Sequence, residues 1–472
     1  MTEAYKQFTR QRVRFIALPS LMFVVVLASA LPAALSPREP FGDETKFVLP
    51  TIRFTLEHGR PPVYLVPSTY MAPVLEAFSA GFSNGGRNLV PYRVLGVVFT
   101  AIAAGLVSVY FQALLDFLPA LICSIWCAAQ LLFNIGFLPV GIAALPGYPV
   151  GITALLGFLL LTLSKWSGKA LTMGFSAGLL YYIFPVSGPL VIAYCLLRIE
   201  GWRAIFGSRI RVAWAIASVL AVSPYAYRRL TESPSVSKLA LVLACIGFAL
   251  GAAMAITVLV GVRTLPAWRR QLIWLSLFGL MFVGVATVPK LVFQYFDRQP
   301  VTQEFGSFHV GSDYYFRTWP EWPMQVRRLL FRIVPLAVFP GAQPAIAAYA
   351  PGDAPNNWGF SLSGALVIAG CFVGGKRLWN EGRFPRVVWA YPVGALVMLM
   401  AMLPSWRLVG DYSSRYLYAY APAFVLVLVA SGSPRRALKG EARVEGWETE
   451  SRKTPAPLTL TSPVGGDLAG QA

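Results

Sequence analysis

Apolar segments long enough to cross a lipid bilayer recur along almost the whole sequence, and they restrict the fold more than any other feature. A bilayer-spanning helix needs about 20 mostly apolar residues. Segments of about this kind occupy residues 13–36, 93–114, 117–138, 147–164, 211–227, 237–262, 271–291, 359–375, 386–404 and 416–432. Only 13% of the 472 residues are charged, whereas soluble domains carry roughly 25%. The sequence therefore predicts an all-α, polytopic integral membrane protein.

The stretch from residue 170 to residue 198 is apolar but broken by Pro185 and Pro189. It is long enough for two short helices, and broken helices occur at membrane depth where protein or a cavity surrounds them. We interpret it as a re-entrant pair, which gives about 11 or 12 transmembrane or re-entrant helices in total. A single kinked span here would instead invert the orientation of everything that follows.

The large positive charge predicts orientation and not a nucleic-acid partner. The net charge is +19, and basic chains often bind phosphate backbones. Here, however, the charges lie singly or in small clusters between apolar segments, as in polytopic membrane proteins. More than half of the Lys and Arg residues fall in residues 1–12, 165–169, 198–211, 263–270, 376–386 and the tail from residue 435. The positive-inside rule therefore places these segments, and both termini, in the cytoplasm.

The predicted organisation is one membrane domain, residues 1–432, followed by a disordered cytoplasmic tail, residues 433–472, which is rich in Pro, Thr, Gly and charge. The sequence contains no N-glycosylation sequon with a permitted middle residue. The first apolar segment lacks a signal-peptide cleavage pattern. Together these features favour the plasma (inner) membrane of a prokaryote over the endoplasmic reticulum.

Two long segments remain for the opposite face, residues 37–92 and 292–358, and we expect them to form extracytoplasmic loops that carry interfacial helices. Ion-coupled carriers usually place acidic groups in the middle of their spans, but such groups are nearly absent here. The outward-facing acids are instead Glu39, Asp43, Glu44, Glu57, Glu76, Asp297, Glu304, Asp313, Glu321 and Asp353. This distribution indicates that the chemistry takes place at the loop-bearing face.

The first loop carries an acidic pair at the start of an amphipathic segment, residues 43–59. Asp43 is either a helix N-cap or a carboxylate held at the membrane surface to take a proton from a nucleophile. Lys46, one helical turn further, would keep Asp43 ionised or contact a phosphate. Glu44 faces another side and is placed to position an acceptor.

The order of features in this region resembles the GT-C glycosyltransferases, and most closely their protein-mannosyltransferase and lipid A aminoarabinose-transferase branch. The shared order is a first span, a short Pro/Gly run, the residues D-E-T-K-F (43–47), an amphipathic helix ending near Gly59, and an Arg that opens the second span. Residues 415–422, R-Y-L-Y-A-Y-A-P, are similar to the segment that opens the last spans of the family.

The resemblance implies an inverting transfer of a sugar from a polyprenyl-phosphate donor to an acceptor hydroxyl of a lipid, glycan or protein at the extracytoplasmic face. It assigns Asp43 as the catalytic base and Lys46 as a contact of the donor phosphate. The aminoarabinose branch has a Lys in a Lys-Pro-Pro segment, whereas residues 70–73 here are Y-M-A-P. Tyr70 is retained as a substrate contact.

Arg53 in the first loop and two arginines at the predicted outer ends of spans are candidates for the missing phosphate charge. Arg binds phosphate with two parallel hydrogen bonds, and preorganised cations stabilise a leaving phosphate in a partly dry site. Arg93 and Arg415 fit this role, with Tyr416 as a neighbouring substrate contact. The alternative for both arginines is contact with lipid head groups by snorkelling.

The second loop adds aromatic and polar residues that suit sugar recognition. We expect His309, Asp313 and Arg317 to contact the donor or acceptor, and Trp319 and Trp322 to belong to an interfacial aromatic belt. An interfacial helix carrying Arg327, Arg328 and Arg332 is expected to end at Pro335. No metal cluster is predicted. A divalent cation held by Asp43, Glu44 and acids of the second loop is the one cofactor that the sequence leaves open.

Two other functions remain open at this point. A polymerase or ligase of lipid-linked oligosaccharides also combines many spans with long outer loops, although it would not explain the acidic pair beside the first span. A lipid or solute carrier would account for the number of spans and would transport its substrate without sugar transfer. In every case membrane lipids surround the protein.

Overall fold

All regular structure in the described part of the chain is helical. The computed structural model describes residues 3–36, 49–59, 81–84, 88–136, 147–198, 246, 249–250, 253, 268–296, 326–327, 329–340, 358–402 and 415–433. Its α-helices are α1 Glu3–Leu35, α2 Leu49–His58, α3 Val90–Leu114, α4 Phe117–Gln130, α5 Gly147–Thr162, α6 Ala170–Ile183, α7 Gly188–Arg198, α8 Trp268–Phe296, α9 Val334–Val338, α10 Trp358–Asn380, α11 Ala390–Met402, α12 Arg415–Tyr418 and α13 Ala421–Gly432. Short 3₁₀-helices at Lys165–Gly168, Pro185–Ser187 and Arg386–Trp389 and π-helical turns at Leu131–Gly136 and Leu329–Ile333 connect or extend them.

Within the part of the chain that the structure describes, three helical segments are long and apolar enough to cross a membrane: Ile16–Leu35, Val90–Leu114 and Trp268–Ala286. Shorter apolar helices of 10–17 residues make up much of the remaining described structure. Many large apolar side chains of these helices are exposed, such as Leu280, which is 70% exposed, and Leu366, which is 69% exposed. Exposed apolar side chains in such number are typical of membrane association. The helical membrane fold class predicted from the sequence agrees with these features, and the predicted spans at 211–227 and 237–262 fall almost wholly outside the described residues.

Neighbouring helices pass each other in defined directions. α1 and α3 are antiparallel, because Gly105 packs on the backbone of Pro19 and Arg93 bonds to Ser36 at the other end of the pair. α5 packs beside α3, where the Thr153 hydroxyl donates to the Phe99 carbonyl at 2.9 Å, and Tyr110 near the end of α3 meets Tyr391 near the start of α11. The end of α1 and the start of α3 therefore lie together, about 25 Å along α3 from the start of α11.

α6 and α7 form a hairpin that returns to the end where it begins. The Tyr194 hydroxyl near the end of α7 donates to the carbonyl of Ser167, three residues before α6, at 3.2 Å. Trp274 in the first part of α8 donates to the Gly168 carbonyl at 3.0 Å, and the Arg198 guanidinium lies 5.8 Å from the centre of the Trp274 ring. These contacts bring the start of α6, the end of α7 and the start of α8 together.

Most of the basic residues in the described structure lie at the end of the bundle where these three helix ends meet. We call this end the basic end. Leu190 near the start of α7 packs on Gly394 of α11, and the 3₁₀-helix before α11 packs on α7 and α5. α7 and α11 are therefore antiparallel, and this 3₁₀-helix lies toward Arg198. The cations at the basic end are Lys165, Lys169, Arg198, Arg269, Arg270, Lys376, Arg377, Arg383 and Arg386.

Two glycines allow α6 and α8 to approach closely. A Cβ added at Gly174 would lie 2.5 Å from the Phe278 carbonyl oxygen, and one added at Gly178 would lie 2.8 Å from the Phe282 carbonyl oxygen. Small residues four apart are a usual means of close helix packing in membranes. The pair therefore fixes the separation and register of the two helices.

Gly174→Ala is expected to lower the stability of the protein by about 1–3 kcal/mol, because the new methyl group meets backbone that cannot rotate away. Gly279→Ala on α8 is the matched control, since nothing lies within 4 Å of a Cβ at that position. The control is expected to be neutral or stabilising, because Ala favours a helix over Gly. Thermal unfolding in detergent measures both, and equal melting temperatures for the two variants would contradict the close packing.

The segment 329–338 is buried within the bundle, which differs from the expected interfacial helix. The helix does not end at Pro335, which lies inside α9, and Ile333 and Val334 are fully buried. α4 holds the segment, because the Trp126 indole donates to the Val338 carbonyl at 2.8 Å. The reason is local composition: the residues from Leu329 onward are almost all apolar, so the protein interior covers them.

Candidate functional site

α2 packs on the start of α3 and so anchors the chain on one side of the D-E-T-K-F motif. Ile52 of α2 is fully buried in a small cluster with Leu89 and Tyr92. Gly59 ends the helix at φ +66°, and its N–H donates to the Thr55 carbonyl at 2.9 Å. The predicted amphipathic helix is confirmed for residues 49–58, whereas residues 43–48 lie outside the described residues.

The polar side of α2 is open to its surroundings. Arg53 and Glu57 are exposed, while Phe54 is 6% exposed and faces the protein. Leu56 departs from the predicted apolar face, because 48% of its side chain is exposed. An exposed leucine next to exposed charges is typical of a helix at a membrane surface.

Arg93 is a predicted site residue whose side chain the structure places inside the protein. It is only 2% exposed, and its Nη1 donates to the carbonyl of Ser36, directly after α1, at 3.4 Å. A buried charge is costly unless polar groups of the protein surround it. The guanidinium is therefore held by the protein, and its contact with a donor phosphate or with a lipid head group stays a prediction.

The residues around Arg93 form the first turn of α3, on which Arg93 lies. The Asn88 side-chain oxygen accepts from the Val90 N–H at 3.0 Å, and Pro91 stands in the first turn of α3. Pro favours the first turn of a helix because its missing N–H would be unpaired there. The Arg93 N–H then donates to the Leu89 carbonyl at 3.0 Å, which closes the first turn.

The contacts of Arg93 and Ile52 fix both flanks of the motif near the start of α3. Ser36 lies seven residues before Asp43, and Leu49 lies six residues after it. An extended chain of six or seven residues reaches about 20–25 Å. The structure therefore limits how far the motif can lie from Arg93, although the motif itself is outside the described residues.

The other predicted site residues divide into two groups. Arg415 and Tyr416 open α12, whose backbone packs against α9, α11 and α13. The remaining predicted residues lie outside the described part of the chain: Asp43, Glu44, Lys46, Tyr70, His309, Asp313 and Arg317. The structure thus brings Arg93 close to Ser36, on one flank of the D-E-T-K-F motif. The contacts of the other predicted site residues stay predictions.

Buried tyrosines, which sequence reasoning missed, hold the break between α12 and α13. The Tyr420 hydroxyl donates to the Val186 carbonyl at 2.7 Å, and the Tyr391 hydroxyl donates to the Ala419 carbonyl. The Tyr110 ring meets the Tyr391 ring edge-on with 6.1 Å between their centres. The signal in the sequence was that each of these tyrosines lies within an apolar segment, where a hydroxyl needs a hydrogen-bond partner. They join the turn of the α6–α7 hairpin to the segment that follows Arg415.

No group of three or more His, Cys, Asp or Glu side chains suitable for a metal occurs among the residues that the structure describes. The divalent cation considered at Asp43 and Glu44 stays a prediction, because those residues lie outside this part of the chain. No family model, no curated protein and no solved structure matches the chain.

Proposed function

We propose that this protein is a GT-C-type membrane glycosyltransferase that uses a polyprenyl-phosphate-linked sugar as donor. The acceptor hydroxyl attacks the anomeric carbon, the bond from that carbon to the phosphate oxygen breaks, and polyprenyl phosphate leaves with the electron pair. Asp43 takes the proton of the hydroxyl. Arg93, with Lys46 and Arg415, stabilises the charge that develops on the phosphate.

The observation that carries this proposal is the buried Arg93 guanidinium at the junction of α1, α2 and α3. A cation in a dry site acts on a nearby phosphate far more strongly than one in water. Arg also presents a rigid fork of donors that matches phosphate oxygens. The D-E-T-K-F motif, with both of its flanks fixed near this arginine, supplies a carboxylate within the same region.

We further propose that the protein is polytopic in the plasma membrane with the basic end in the cytoplasm. The supporting feature is the concentration of cations at that end, which the positive-inside rule associates with the cytoplasmic face. Arg93 and α2 lie at the opposite end, and the α6–α7 hairpin has the geometry that a re-entrant pair requires. The reaction then takes place on the extracytoplasmic face, where the loops 37–92 and 292–358 lie.

Cysteine labelling tests this orientation. A Glu57→Cys variant on the exposed side of α2 is expected to react with a membrane-impermeant maleimide in intact cells. A Lys169→Cys variant at the basic end is expected to react only after the membrane is opened. Both variants are made in a chain whose own cysteines are replaced by alanine, because Cys195 and Cys371 are only partly buried. The reverse pattern would contradict the proposed orientation.

Transfer from a labelled donor tests the activity. Membranes from cells that overproduce the protein are supplied with radiolabelled lipid-linked sugars extracted from the same host, and label in the acceptor fraction is measured. We expect transfer that depends on the protein and releases polyprenyl phosphate. Flux of a solute or lipid across liposomes in the absence of any sugar transfer would instead favour a carrier.

A further inference from the structure

A groove on the side of the bundle, lined by α10, α11 and α13, has no role in the proposed reaction. It encloses about 320 Å³, and its walls include Phe372 of α10, Leu396 of α11 and Phe424 of α13. This volume is in the range of small-molecule sites, which is roughly 300–1,000 Å³. Phe372 is 58% exposed and Leu396 is 36% exposed, so the groove opens sideways, toward the surroundings of the bundle.

The length of the groove matches half of a bilayer. On α10 the residues that line the groove run from Ile368 to Trp379. On the opposite wall they run from Trp389, just before α11, to Leu399 within α11. At 1.5 Å per residue, eleven residues of helix extend about 16 Å. The hydrocarbon core of a bilayer is about 30 Å thick. The groove therefore extends over about the depth of one leaflet, the one at the basic end.

One end of the groove is positively charged. Lys376 is exposed and lines the groove, next to Trp379. The single acid of residues 376–386, Glu381, is already paired: Arg377 Nε lies 2.9 Å from Glu381 Oε1, and Arg383 Nε donates to the other carboxylate oxygen. The hydrogen bond from Arg377 and the nearby Arg383 hold the pKa of Glu381 below its usual value. Glu381 is therefore ionised and paired with these two arginines.

Lys376 is left without an ion-pair partner among the described residues, and so is Arg386, which opens the 3₁₀-helix carrying Trp389. A cation at the mouth of an apolar groove, here Lys376, complements an amphiphile that has a negative head group and an apolar chain. Tryptophan is common at the level where the hydrocarbon of a bilayer meets the head groups, and Trp379 lies beside Lys376 at this mouth.

We propose that this groove is a binding site for an anionic phospholipid of the leaflet at the basic end. One acyl chain lies between α10 and α11, and the phosphate of the head group contacts Lys376. The site is at the other end of the bundle from Arg93, and its occupancy does not depend on the proposed glycosyl transfer.

Quenching of tryptophan fluorescence by lipids with brominated chains measures this binding as the part of the signal that is lost in a Trp379→Phe/Trp389→Phe variant, because these two of the 13 tryptophans line the groove. The purified full-length protein in mixed micelles is titrated with brominated phosphatidylglycerol, and in parallel with brominated phosphatidylcholine of the same chains. The wild-type protein is expected to bind phosphatidylglycerol more tightly. Lys376→Gln is expected to weaken phosphatidylglycerol binding about fivefold, the usual contribution of one basic residue at an anionic surface, and to leave phosphatidylcholine binding unchanged.

Two further variants separate the charge from the groove. Lys165→Gln removes an exposed lysine from the same end but outside the groove, and it is expected to bind both lipids as the wild type does. Gly375→Leu fills the groove, since a Cβ there would meet only Trp389 and Val427 at 3.8 Å. It is expected to weaken binding of both lipids by about tenfold, because the acyl chain loses buried surface.

Three results would overturn the proposal: equal affinity for the two lipids, equal losses in Lys376→Gln and Lys165→Gln, or wild-type binding in Gly375→Leu. The first two would reduce the effect to general surface charge, and the third would place the bound lipid elsewhere. Because the measurement is of binding, its failure leaves the transfer reaction untouched, and loss of transfer activity leaves this site untouched.

Discussion

Asp43→Asn is expected to lower sugar transfer by roughly 10²- to 10⁴-fold, the usual contribution of a general base, with no change in melting temperature. The amide has the shape of the carboxylate but cannot take the proton of the acceptor hydroxyl. Turnover is measured with labelled lipid-linked sugar in membranes that contain equal amounts of each variant. Melting temperatures are measured on the purified proteins.

This substitution also separates the two roles considered for Asp43. Asn caps a helix N-terminus about as well as Asp does, so a residue that acts only as a cap would keep both stability and activity. Glu57→Gln is the matched control, because it makes the same chemical change on the exposed side of α2. Wild-type turnover in Asp43→Asn would exclude Asp43 as the base.

Arg93→Lys is expected to reduce kcat/KM by roughly 10- to 100-fold, because a lysine keeps the charge but loses the paired hydrogen bonds to the phosphate. Hydrogen bonds to charged groups contribute about 1.5–3 kcal/mol, which corresponds to this range. If Arg93 acts on the leaving phosphate, kcat falls along with kcat/KM. Steady-state kinetics with the lipid-linked donor separate the two constants.

A purely structural role of Arg93 would give a different result. The guanidinium joins α3 to the end of α1 through Ser36, so its removal in Arg93→Met is expected to lower stability as well as activity. Arg270→Lys, at an exposed position of the basic end, is the control and is expected to retain wild-type kinetics. Wild-type kcat in Arg93→Lys, together with a lowered melting temperature, would restrict Arg93 to a structural role.

The features that sequence could predict are those decided by neighbours in the chain. The helix at 49–58 follows from local amphipathic spacing, and its end follows from Gly59, which adopts a positive φ more readily than other residues do. The break at 184–187 coincides with Pro185, because proline lacks an N–H and its ring disfavours the continuation of a helix.

The features that sequence could not predict depend on partners far away in the chain. The burial of Arg93 requires the antiparallel contact of α1 and α3, which no local pattern encodes. The groove beside Lys376 likewise exists only because α10, α11 and α13 meet. The predicted helix end at Pro335 was wrong, because the apolar residues 333–338 continue the helix inside the bundle, whereas the arginines at 327, 328 and 332 had suggested an interface.

The lipid that copurifies with the protein tests the central claim most directly. The wild-type chain is purified from its membrane in mild detergent, the bound lipids are extracted, and mass spectrometry identifies them against a mock purification. The account predicts a polyprenyl phosphate or its sugar adduct in the wild-type sample, at a reduced level in Arg93→Met. A purified protein that carries only bulk phospholipids, and that does not acquire polyprenyl phosphate when it is supplied, would contradict the proposed glycosyltransferase.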